Sequence, residues 1–280
     1  MSCLLNIRNQ TFDWGAKTYI MGVLNITPDS FSDGGQFYTI DTAVAQAFSM
    51  IEAGADILDI GGQSTRPGAQ QISLEEEINR VIPVVTAIRA VTNIAISVDT
   101  TRAEVAKAAI NAGADIINDI SGGTYDSEMF NTVSEAHVPI VLMHIRGTPA
   151  TMQQLTDYDD VVLEIISFLS RQIQAATNAG IEPNQIIIDP GIGFAKNYEQ
   201  NLEIFHRLSE LHQLKCPILI GPSRKSFIGK ILNQPDPKRR LMGTAAACCA
   251  AIFKGTDIVR VHDVQEIRDV CLVADALLRS

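Results

Sequence analysis

The sequence predicts a single-domain α/β protein, in which residues 1–280 form one (β/α)8, or TIM, barrel. Three observations favour this fold. Apolar runs typical of strands alternate with amphipathic helical segments, the 280-residue length suits one barrel, and a glycine-led pattern occurs three times. An open doubly wound sheet remains the alternative, because the same alternation also builds that fold.

The repeated pattern is a glycine, a short apolar run, and a polar residue five positions after the glycine. The copies occupy residues 54–59, 113–118 and 255–260 and end in Asp59, Asn118 and Arg260. A glycine after a helical segment is typical of a left-handed C-cap, and an Ile/Val/Leu run suits a strand buried on both faces. In a parallel sheet the three polar ends would lie on one side, where such folds bind ligands.

The first half of the chain contains five predicted strands and four predicted helices. Ser73 and Thr101 each begin a capping-box pattern, with Glu76 and Glu104 three residues later. The strands are predicted at residues 19–24, 55–60, 94–98, 114–118 and 138–143, and helices at 41–53, from 73, from 101 and at 129–136.

The second half continues the same alternation. Strands are predicted at 185–188, 217–220 and 257–261, and helices at 158–179, 198–212, 224–232, 239–254 and 264–278. Three loops after strands are long and rich in Gly, Ser, Thr and Pro, at residues 25–39, 62–72 and 144–157. Loops longer than about 12 residues in a compact domain are commonly functional lids.

Composition narrows the classes of function. The formal net charge of −10 and the lack of a basic stripe argue against nucleic acid as a partner. Five cysteines without a CxxC pair argue against a disulfide framework and a structural zinc site. No apolar stretch is long enough for a membrane span, and no signal sequence is evident. We therefore expect a cytoplasmic protein that does not bind membranes.

Polar residues close almost every predicted strand. They are Asn25, Asp59, Asp99, Asn118, His144, Asp189 and Arg260. Any one of them could simply cap the next helix. A ring of amides and carboxylates around one mouth is costly to desolvate unless a ligand satisfies it. The ring therefore predicts a planar polar ligand such as a heterocycle.

A basic segment near residue 224 suggests an anion site. Ser223 and Ser226 lie at a predicted helix start, where free N–H groups attract a carboxylate or phosphate, and Arg224 and Lys225 add charge. The alternative is a serine N-cap followed by solvated basic side chains.

Arg260 and His262 alternate along the end of the last strand, so both side chains lie on one face. Together they suggest two cationic donors for a phosphate group. The other four histidines have no spacing typical of a zinc site.

Seven segments together resemble the dihydropteroate synthase family, from about residue 20 to the last helix. They are Met21-Gly-Val-Leu-Asn-Ile-Thr-Pro-Asp-Ser-Phe-Ser-Asp-Gly-Gly35, Asp59-Ile-Gly-Gly-Gln-Ser-Thr-Arg-Pro-Gly68, Ser97-Val-Asp-Thr100, Asn118-Asp-Ile-Ser-Gly-Gly123, Asp189-Pro-Gly-Ile-Gly-Phe194, Ser223-Arg-Lys-Ser226 and Arg260-Val-His-Asp263. The resemblance implies that p-aminobenzoate displaces pyrophosphate from a 6-hydroxymethyl-7,8-dihydropterin ester, giving dihydropteroate. Gln63, Ile192 and Ala195 depart from residues that are common in the family.

The resemblance also implies roles for individual residues, carried over position by position. Asp99, Asn118, Asp189 and Lys225 match pterin-binding positions. Asn25, Arg260 and His262 match the pyrophosphate site. Phe31, Thr65, Arg66, Pro67 and Ser226 match the p-aminobenzoate pocket. Asn25, Arg66, Lys225, Arg260 and His262 are the expected catalytic residues.

A magnesium ion and a homodimer are two further expectations. Asn25 offers an oxygen suited to Mg²⁺, which usually keeps several waters and bridges to phosphates. Homodimerisation through the last helices is implied by the family. The expected partners are thus two small-molecule substrates, Mg²⁺ and a second copy of the chain.

Three other functions remain open on the sequence alone. A methyltetrahydrofolate-binding methyltransferase barrel would share the Asp/Asn edge but would not need Arg260 and His262. A catalytically silent pterin-binding subunit would not need Phe31, Thr65 and Arg66. A Schiff-base aldolase would use Lys225 as its nucleophile, but no apolar pocket beside Arg224 is evident.

Overall fold

The computed structural model describes residues 4–26, 36–66 and 68–279, with only the backbone described for residues 36–39. Eight parallel strands form the inner wall of a TIM-like barrel, and helices surround it. The predicted (β/α)8 fold is therefore confirmed. Phe31 and Pro67 lie outside the described residues. Within the described residues, no helix has both the length and the apolarity required to span a bilayer.

Ten strands lie in the described chain, and the bounds of most agree with the sequence prediction within a few residues. They are β1 (Leu4–Ile7), β2 (Gln10–Asp13), β3 (Tyr19–Asn25), β4 (Ile57–Gly61), β5 (Ala95–Asp99), β6 (Ile116–Asp119), β7 (Ile140–Met143), β8 (Ile186–Asp189), β9 (Leu219–Ile220) and β10 (Ile258–Val261). Strands β3 to β10 form the barrel wall in the order β8-β7-β6-β5-β4-β3-β10-β9. A parallel bridge between Ile188 and Ile218 brings the two edges together.

Nine α-helices of the described chain cover the barrel. They are α1 (Gln36–Glu52), α2 (Leu74–Arg89), α3 (Ala103–Ala112), α4 (Met129–Ala136), α5 (Val161–Asn178), α6 (Tyr198–Arg207), α7 (Ser226–Ile231), α8 (Leu241–Ile252) and α9 (Val264–Leu278). The predicted helix at 198–212 is only partly correct, because Leu208–Leu214 is a 3-10 helix. The first long loop is shorter than predicted, because α1 already begins at Gln36.

The glycine-led pattern has the predicted structure in all three copies. Gly54, Gly113 and Gly255 have φ angles of 101°, 110° and 87°, and a strand follows each one. This left-handed conformation is costly for any residue with a Cβ atom, which explains the glycines.

The structure adds a role for the aspartate two residues after each of these glycines. Asp56, Asp115 and Asp257 each accept the backbone N–H of the preceding strand segment, at Ile20 (2.8 Å), Ile96 (2.9 Å) and Ile218 (2.9 Å). Each also donates its own N–H to the carbonyl of that same isoleucine. The aspartate therefore fixes the register where two neighbouring strands begin, at the N-terminal end of the barrel.

An N-terminal β-hairpin, which the sequence analysis missed, closes that same end. Strands β1 and β2 pair antiparallel and bring Leu5, Ile7 and Phe12 against the apolar ends of the barrel strands. Phe12 is fully buried; its ring stacks on Trp14 at 5.4 Å and meets Tyr19 at a tilt, at 4.8 Å between ring centroids. The N-terminal end of the barrel is thus sealed by hydrocarbon.

One predicted capping box is confirmed in its first half and the other is wrong. Ser73 Oγ accepts the N–H of Glu76 at 3.1 Å, as predicted for α2. Thr101 does not cap α3, because that helix begins at Ala103 and its first N–H is accepted by Asp126 Oδ2 at 2.8 Å. Asp126 comes from a neighbouring loop, so a tertiary contact replaces the local cap.

Candidate active site at the C-terminal mouth of the barrel

Asp59, at the C-terminal half of β4, joins the three polar ends of the glycine-led pattern. Its carboxylate is fully buried. Oδ2 accepts hydrogen bonds from Arg260 Nε at 2.6 Å and Asn118 Nδ2 at 3.2 Å, while Oδ1 accepts Ser97 Oγ at 2.6 Å. The predicted convergence of the three strand ends on one side of the sheet is therefore confirmed.

Arg260 links two buried carboxylates across the mouth. Its Nη2 donates to Asp99 Oδ2 at 2.9 Å in addition to the bond to Asp59. Burial opposes the charge on Arg260, but Asp59 and Asp99 outweigh burial and raise the pKa of the guanidinium. Burial, together with Asp59, raises the pKa of Asp99, while Arg260 counteracts this rise. The positive charge of Arg260 is thus already compensated within the protein by Asp59 and Asp99.

Asp189 and Lys225 form a second charged group at the same mouth. Asp189, the last residue of β8, is 7% exposed, and its Oδ1 accepts Gly191 N at 2.7 Å. Burial raises the pKa of Asp189 to about 6, although Lys225 and Arg260 favour its charged form. Burial lowers the pKa of Lys225 to about 8, against the attraction of Asp189. Lys225 Nζ also lies 4.1 Å from the centre of the Phe194 ring.

Asn25 ends β3 on the same face. A methyl group placed on Gly61 would lie 3.7 Å from Asn25 Oδ1 and 3.9 Å from Asp99 Oδ2, so both oxygens border one small space. The fit to Mg²⁺ follows from this donor set: two hard oxygens suit an ion that keeps its waters and bridges to phosphate. Within the described residues, no cluster of three or more His, Cys, Asp or Glu forms an all-protein cage.

His262 and Arg224 do not supply the cationic charge that the sequence suggested. Burial lowers the pKa of His262 to about 3, so its ring is neutral near pH 7. His262 Nδ1 lies 3.0 Å from Ser223 Oγ, which also accepts the backbone N–H of His262 at 3.2 Å. Arg224 pairs with Asp263 at 2.5 Å, which neutralises it. Ser223 is therefore a partner of His262 instead of a helix cap.

Thr65, Arg66 and Ser226, the described members of the predicted p-aminobenzoate set, lie on the outer parts of the mouth. Thr65 is partly exposed and Arg66 is exposed, in the loop between β4 and α2. Ser226 is the exposed first residue of α7. The loop containing Arg66 touches the loop after β7, because Gly68 N donates to Pro149 O at 3.0 Å. Among the described residues, no hydrogen bond or ion pair joins Thr65, Arg66 or Ser226 to Asp59 or its partners.

His144 was predicted as one of the polar strand ends, but its ring is internally paired. His144 Nδ1 lies 3.0 Å from Lys196 Nζ, and its ring meets Phe168 edge-on at 5.1 Å. Burial lowers the pKa of His144 to about 2. His144 therefore packs beneath the mouth as a neutral side chain.

The sequence analysis assigned no binding or catalytic role to Asp59 or Lys196, which the structure makes functional candidates. Asp59 belonged to the predicted ring of polar strand ends, and its place in the glycine-led pattern beside Asn118 and Arg260 was the available signal. Lys196, 3% exposed, carried no comparable signal. The family departure at Ala195 falls on a left-handed residue with a φ of 49°, which explains why glycine is common there.

Comparisons with known proteins show which proteins this chain resembles. Residues 21–262 match the family described as pterin binding enzyme. A dihydropteroate synthase from Synechocystis sp. is 57% identical over 275 residues, covering 98% of this chain and 95% of the relative. The Xanthomonas albilineans dihydropteroate synthase structure with 4-aminobenzoic acid is 40% identical, covers 100% of both chains and has a TM-score of 0.93. Its complex with 7,8-dihydropteroate is 38% identical, covers 99% of both and has a TM-score of 0.88.

Proposed function

Because the chain belongs to the pterin-binding enzyme family, we propose that it is a transferase with dihydropteroate synthase activity. It joins p-aminobenzoate to a 6-hydroxymethyl-7,8-dihydropterin carried as its pyrophosphate ester, and it releases 7,8-dihydropteroate and pyrophosphate. This reaction belongs to folate biosynthesis. The relatives compared above include structures with 4-aminobenzoic acid and with 7,8-dihydropteroate, which are the second substrate and the product.

The observation that carries this proposal is a set of side-chain oxygens at the mouth that accept no hydrogen bond from the described residues. Asp99, Asn118 and Asp189 each use some of their polar atoms inside the protein. Within the described residues, no hydrogen bond reaches Asp99 Oδ1, Asn118 Oδ1 or Asp189 Oδ2. The pyrimidine edge of a pterin presents adjacent N–H donors, which these three oxygens can accept.

The pyrophosphate group would lie on the Arg260 side of the mouth. Ser223 Oγ accepts the backbone N–H of His262, and its hydroxyl hydrogen can be donated to His262 Nδ1. We assign the bond in that direction, which leaves the ring proton on Nε2, where neutral His262 can donate to a phosphate oxygen. Asn25 would hold Mg²⁺, and the ion would stabilise the charge on the departing pyrophosphate.

We assign the p-aminobenzoate pocket to Phe31, Thr65, Arg66, Pro67 and Ser226, which includes two residues outside the described part of the chain. Arg66 is exposed and its guanidinium can pair with the carboxylate of the arylamine. Ser226 begins α7 next to Lys225, so this pocket borders the pterin site.

The residues suggest a dissociative displacement. Departure of pyrophosphate leaves a methylene carbon conjugated with the electron-rich dihydropterin, so Asp189 and Asp99 face a ring that gains positive charge. The arylamine is unprotonated near neutral pH, so its lone pair attacks without a strong general base. Arg260 and His262 retain the leaving group, and closure of the loop after β4 would exclude water that competes with the amine.

One assay tests the reaction. The purified protein is incubated with the dihydropterin pyrophosphate, with and without p-aminobenzoate and Mg²⁺, and pyrophosphate release is measured. We expect release that requires the arylamine and is stimulated by Mg²⁺. Release without the arylamine would indicate a hydrolase, and pterin binding without release would indicate a silent binding subunit. Methyl transfer from methyltetrahydrofolate would instead support the methyltransferase alternative.

We propose that two copies of the chain associate through α8 and α9. Both helices expose large apolar side chains, among them Met242 (79% exposed), Leu277 (72%) and Val273 (61%). Several large apolar side chains exposed on two adjacent helices are typical of subunit interfaces. Sedimentation equilibrium should give twice the chain mass of 30.4 kDa for the wild type and a monomer for Leu277→Glu. A monomeric wild type at micromolar concentration would contradict this proposal.

We further propose that residues 1–280 act as one domain in the cytoplasm. One hydrophobic cluster runs from β3 through α9, which supports a single folding unit. Cys248 and Cys271 are buried thiols, and burial raises the pKa of both, which suits a reducing compartment.

A further inference from the structure

A buried ammonium group lies beneath the pterin side of the mouth. Lys196 is 3% exposed and stands between β8 and α6. Its Nζ lies 2.8 Å from Phe194 O, 3.0 Å from His144 Nδ1 and 3.3 Å from His144 O. His144 directly follows β7, and Phe194 belongs to the loop after β8. Lys196 therefore connects the ends of two neighbouring strands.

The three partners of Lys196 fit its protonated form. A protonated ammonium group has three N–H donors, one for each of Phe194 O, His144 O and an unprotonated His144 Nδ1, and the His144 ring is neutral. A neutral amine would fit the same partners only with the ring proton of His144 on Nδ1, so that the amine accepts it. Burial lowers the pKa of Lys196 to about 7, and Asp189 partly opposes this effect. The group is therefore protonated over the acidic range in which Asp189 titrates.

The loop after β8, which Lys196 supports, links two residues of the proposed pterin site. It directly follows Asp189, and its Phe194 ring contacts Lys225. Gly191 has a φ of 72°, and a methyl group there would lie 2.1 Å from His144 O and 3.3 Å from Lys196 Nζ. Phe194, whose carbonyl Lys196 holds, places its ring under the ammonium of Lys225. The loop backbone from Asp189 to Phe194 is therefore packed closely around the Lys196 side chain.

We propose that Lys196 is a positioning residue for pterin binding, which ties together the ends of β7 and β8 and stabilises the ionised form of Asp189. This inference rests on the proposed function. The charged groups that face Asp189 are Lys196, Lys225 and Arg260. Those that face Lys196 are Asp189, Lys225 and Arg146. Removing the Lys196 charge should therefore make Asp189 take up a proton at a higher pH.

The test compares Lys196→Met with wild type between pH 5 and pH 8. We expect the KM for the dihydropterin pyrophosphate to rise about tenfold and the KM for p-aminobenzoate to change less than about twofold. The acid limb of kcat/KM should move up by about one pH unit, the usual effect of losing a nearby opposite charge. Lys230→Met is the matched control, since Lys230 contacts Tyr198 and Glu199 on the surface, and we expect no change.

Two further variants separate charge from packing. Lys196→Gln keeps N–H donors without charge and should show the same shifted acid limb, whereas Lys196→Arg keeps the charge and should retain the wild-type limb even if its KM changes. Circular dichroism reports whether each variant folds. An unshifted limb in folded Lys196→Met or Lys196→Gln, or a shifted limb in Lys196→Arg, would overturn the proposal.

The binding of 6-hydroxymethylpterin, measured by calorimetry over the same pH range, separates this proposal from the proposed function. Wild-type protein that binds the pterin but releases no pyrophosphate would refute the synthase activity. The pH dependence of the dissociation constant in wild type and Lys196→Met would still decide the role of Lys196.

Discussion

The two ends of the barrel differ in how completely their aspartates are paired. At the N-terminal end, both oxygens of Asp115 are bonded, to Arg8, Arg89 and the N–H of Ile96. At the C-terminal mouth, Asp99 and Asp189 each keep one oxygen to which no described residue donates. Among the described residues, neither of these oxygens is a fully buried acceptor without a partner, so each can accept from water or from a ligand that enters the mouth. Both ends of the barrel contain buried aspartates. The oxygen to which no described residue donates distinguishes the aspartates of the functional end.

The surroundings of these aspartates also differ between the two ends of the barrel. Hydrocarbon from the β1–β2 hairpin seals the N-terminal end, where Phe12 is fully buried. The C-terminal mouth instead concentrates Asp59, Asp99, Asp189 and Arg260, whose charges interact across the opening. Changes at the first end should therefore affect stability alone, whereas changes at the second should affect catalysis and stability together.

The largest effect is expected at Arg260, because it pairs with both Asp59 and Asp99. Arg260→Leu leaves two buried carboxylates without a cation, which should cost about 3–5 kcal/mol of the free energy of unfolding. It also removes the ligand that we propose for the pyrophosphate, so kcat/KM should fall by at least about 10³-fold. Urea denaturation and the pyrophosphate-release assay measure the two losses.

Arg8→Leu is the matched change at the other end. Arg8 is partly exposed and shares Asp115 with Arg89, so its loss should cost about 1 kcal/mol with unchanged kcat/KM. A catalytic defect in Arg8→Leu would contradict the separation of the two ends.

Phe12 tests the hydrocarbon seal. Phe12→Ala removes a fully buried ring that stacks on Trp14 and Tyr19, which should lower the free energy of unfolding by about 3–5 kcal/mol. The kcat of the folded fraction should equal that of wild type. Val91→Ala, at a side chain that is 55% exposed, should change stability by less than about 0.5 kcal/mol. A seal that also shaped the mouth would show a lowered kcat in Phe12→Ala.

Asp189 and Asp115 form the sharpest pair. Asp189→Asn removes a buried charge while its amide oxygen can still accept Gly191 N–H, so stability should rise by about 1–3 kcal/mol. The same change removes the acceptor for the pterin, and kcat/KM should fall by about 10²-fold or more. Asp115→Asn should do the opposite, losing about 2–3 kcal/mol from its two ion pairs and no activity. Opposite signs in stability are the decisive observation.

Local patterns in the sequence predicted most of the fold and part of the mouth. The left-handed glycines and the buried strands after them depend on neighbours in sequence, so Asp59, Asn118 and Arg260 could be placed on one side. The β1–β2 hairpin was missed because its strands have only four residues each and gain stability from the barrel end that they cover.

The charges at the mouth were harder to predict, because they depend on partners distant in sequence. Arg224 is neutralised by Asp263, and His262 loses its charge through burial. Lys196 gains its importance from His144, 52 residues earlier in the chain. Spacing along the chain identifies which side chains share a face, but it does not show which of them form hydrogen bonds or ion pairs with one another.

A pH-dependent difference in stability between wild type and Asp189→Asn tests the mouth alone. Burial raises the folded-state pKa of Asp189 from 3.8 to about 6. For a raised pKa, the stabilisation from protonation is complete at pH values below the unfolded-state pKa and is lost as the pH rises through about 6. Asp189→Asn should therefore be more stable than wild type by up to about 3 kcal/mol at pH 7, and this advantage should fade towards pH 4.

The activity of wild type should follow the opposite course, because pterin binding needs the ionised carboxylate. Its kcat/KM should fall about tenfold for each pH unit below about 6, while its stability approaches that of Asp189→Asn. Thermal unfolding of both proteins from pH 4 to pH 8, compared as a difference, cancels the titration of groups that do not interact with Asp189; Lys196 and Lys225 do interact with it. If the difference stayed constant across that range, the unpaired carboxylate at the mouth would carry no cost, and the contrast between the two ends would rest on packing alone.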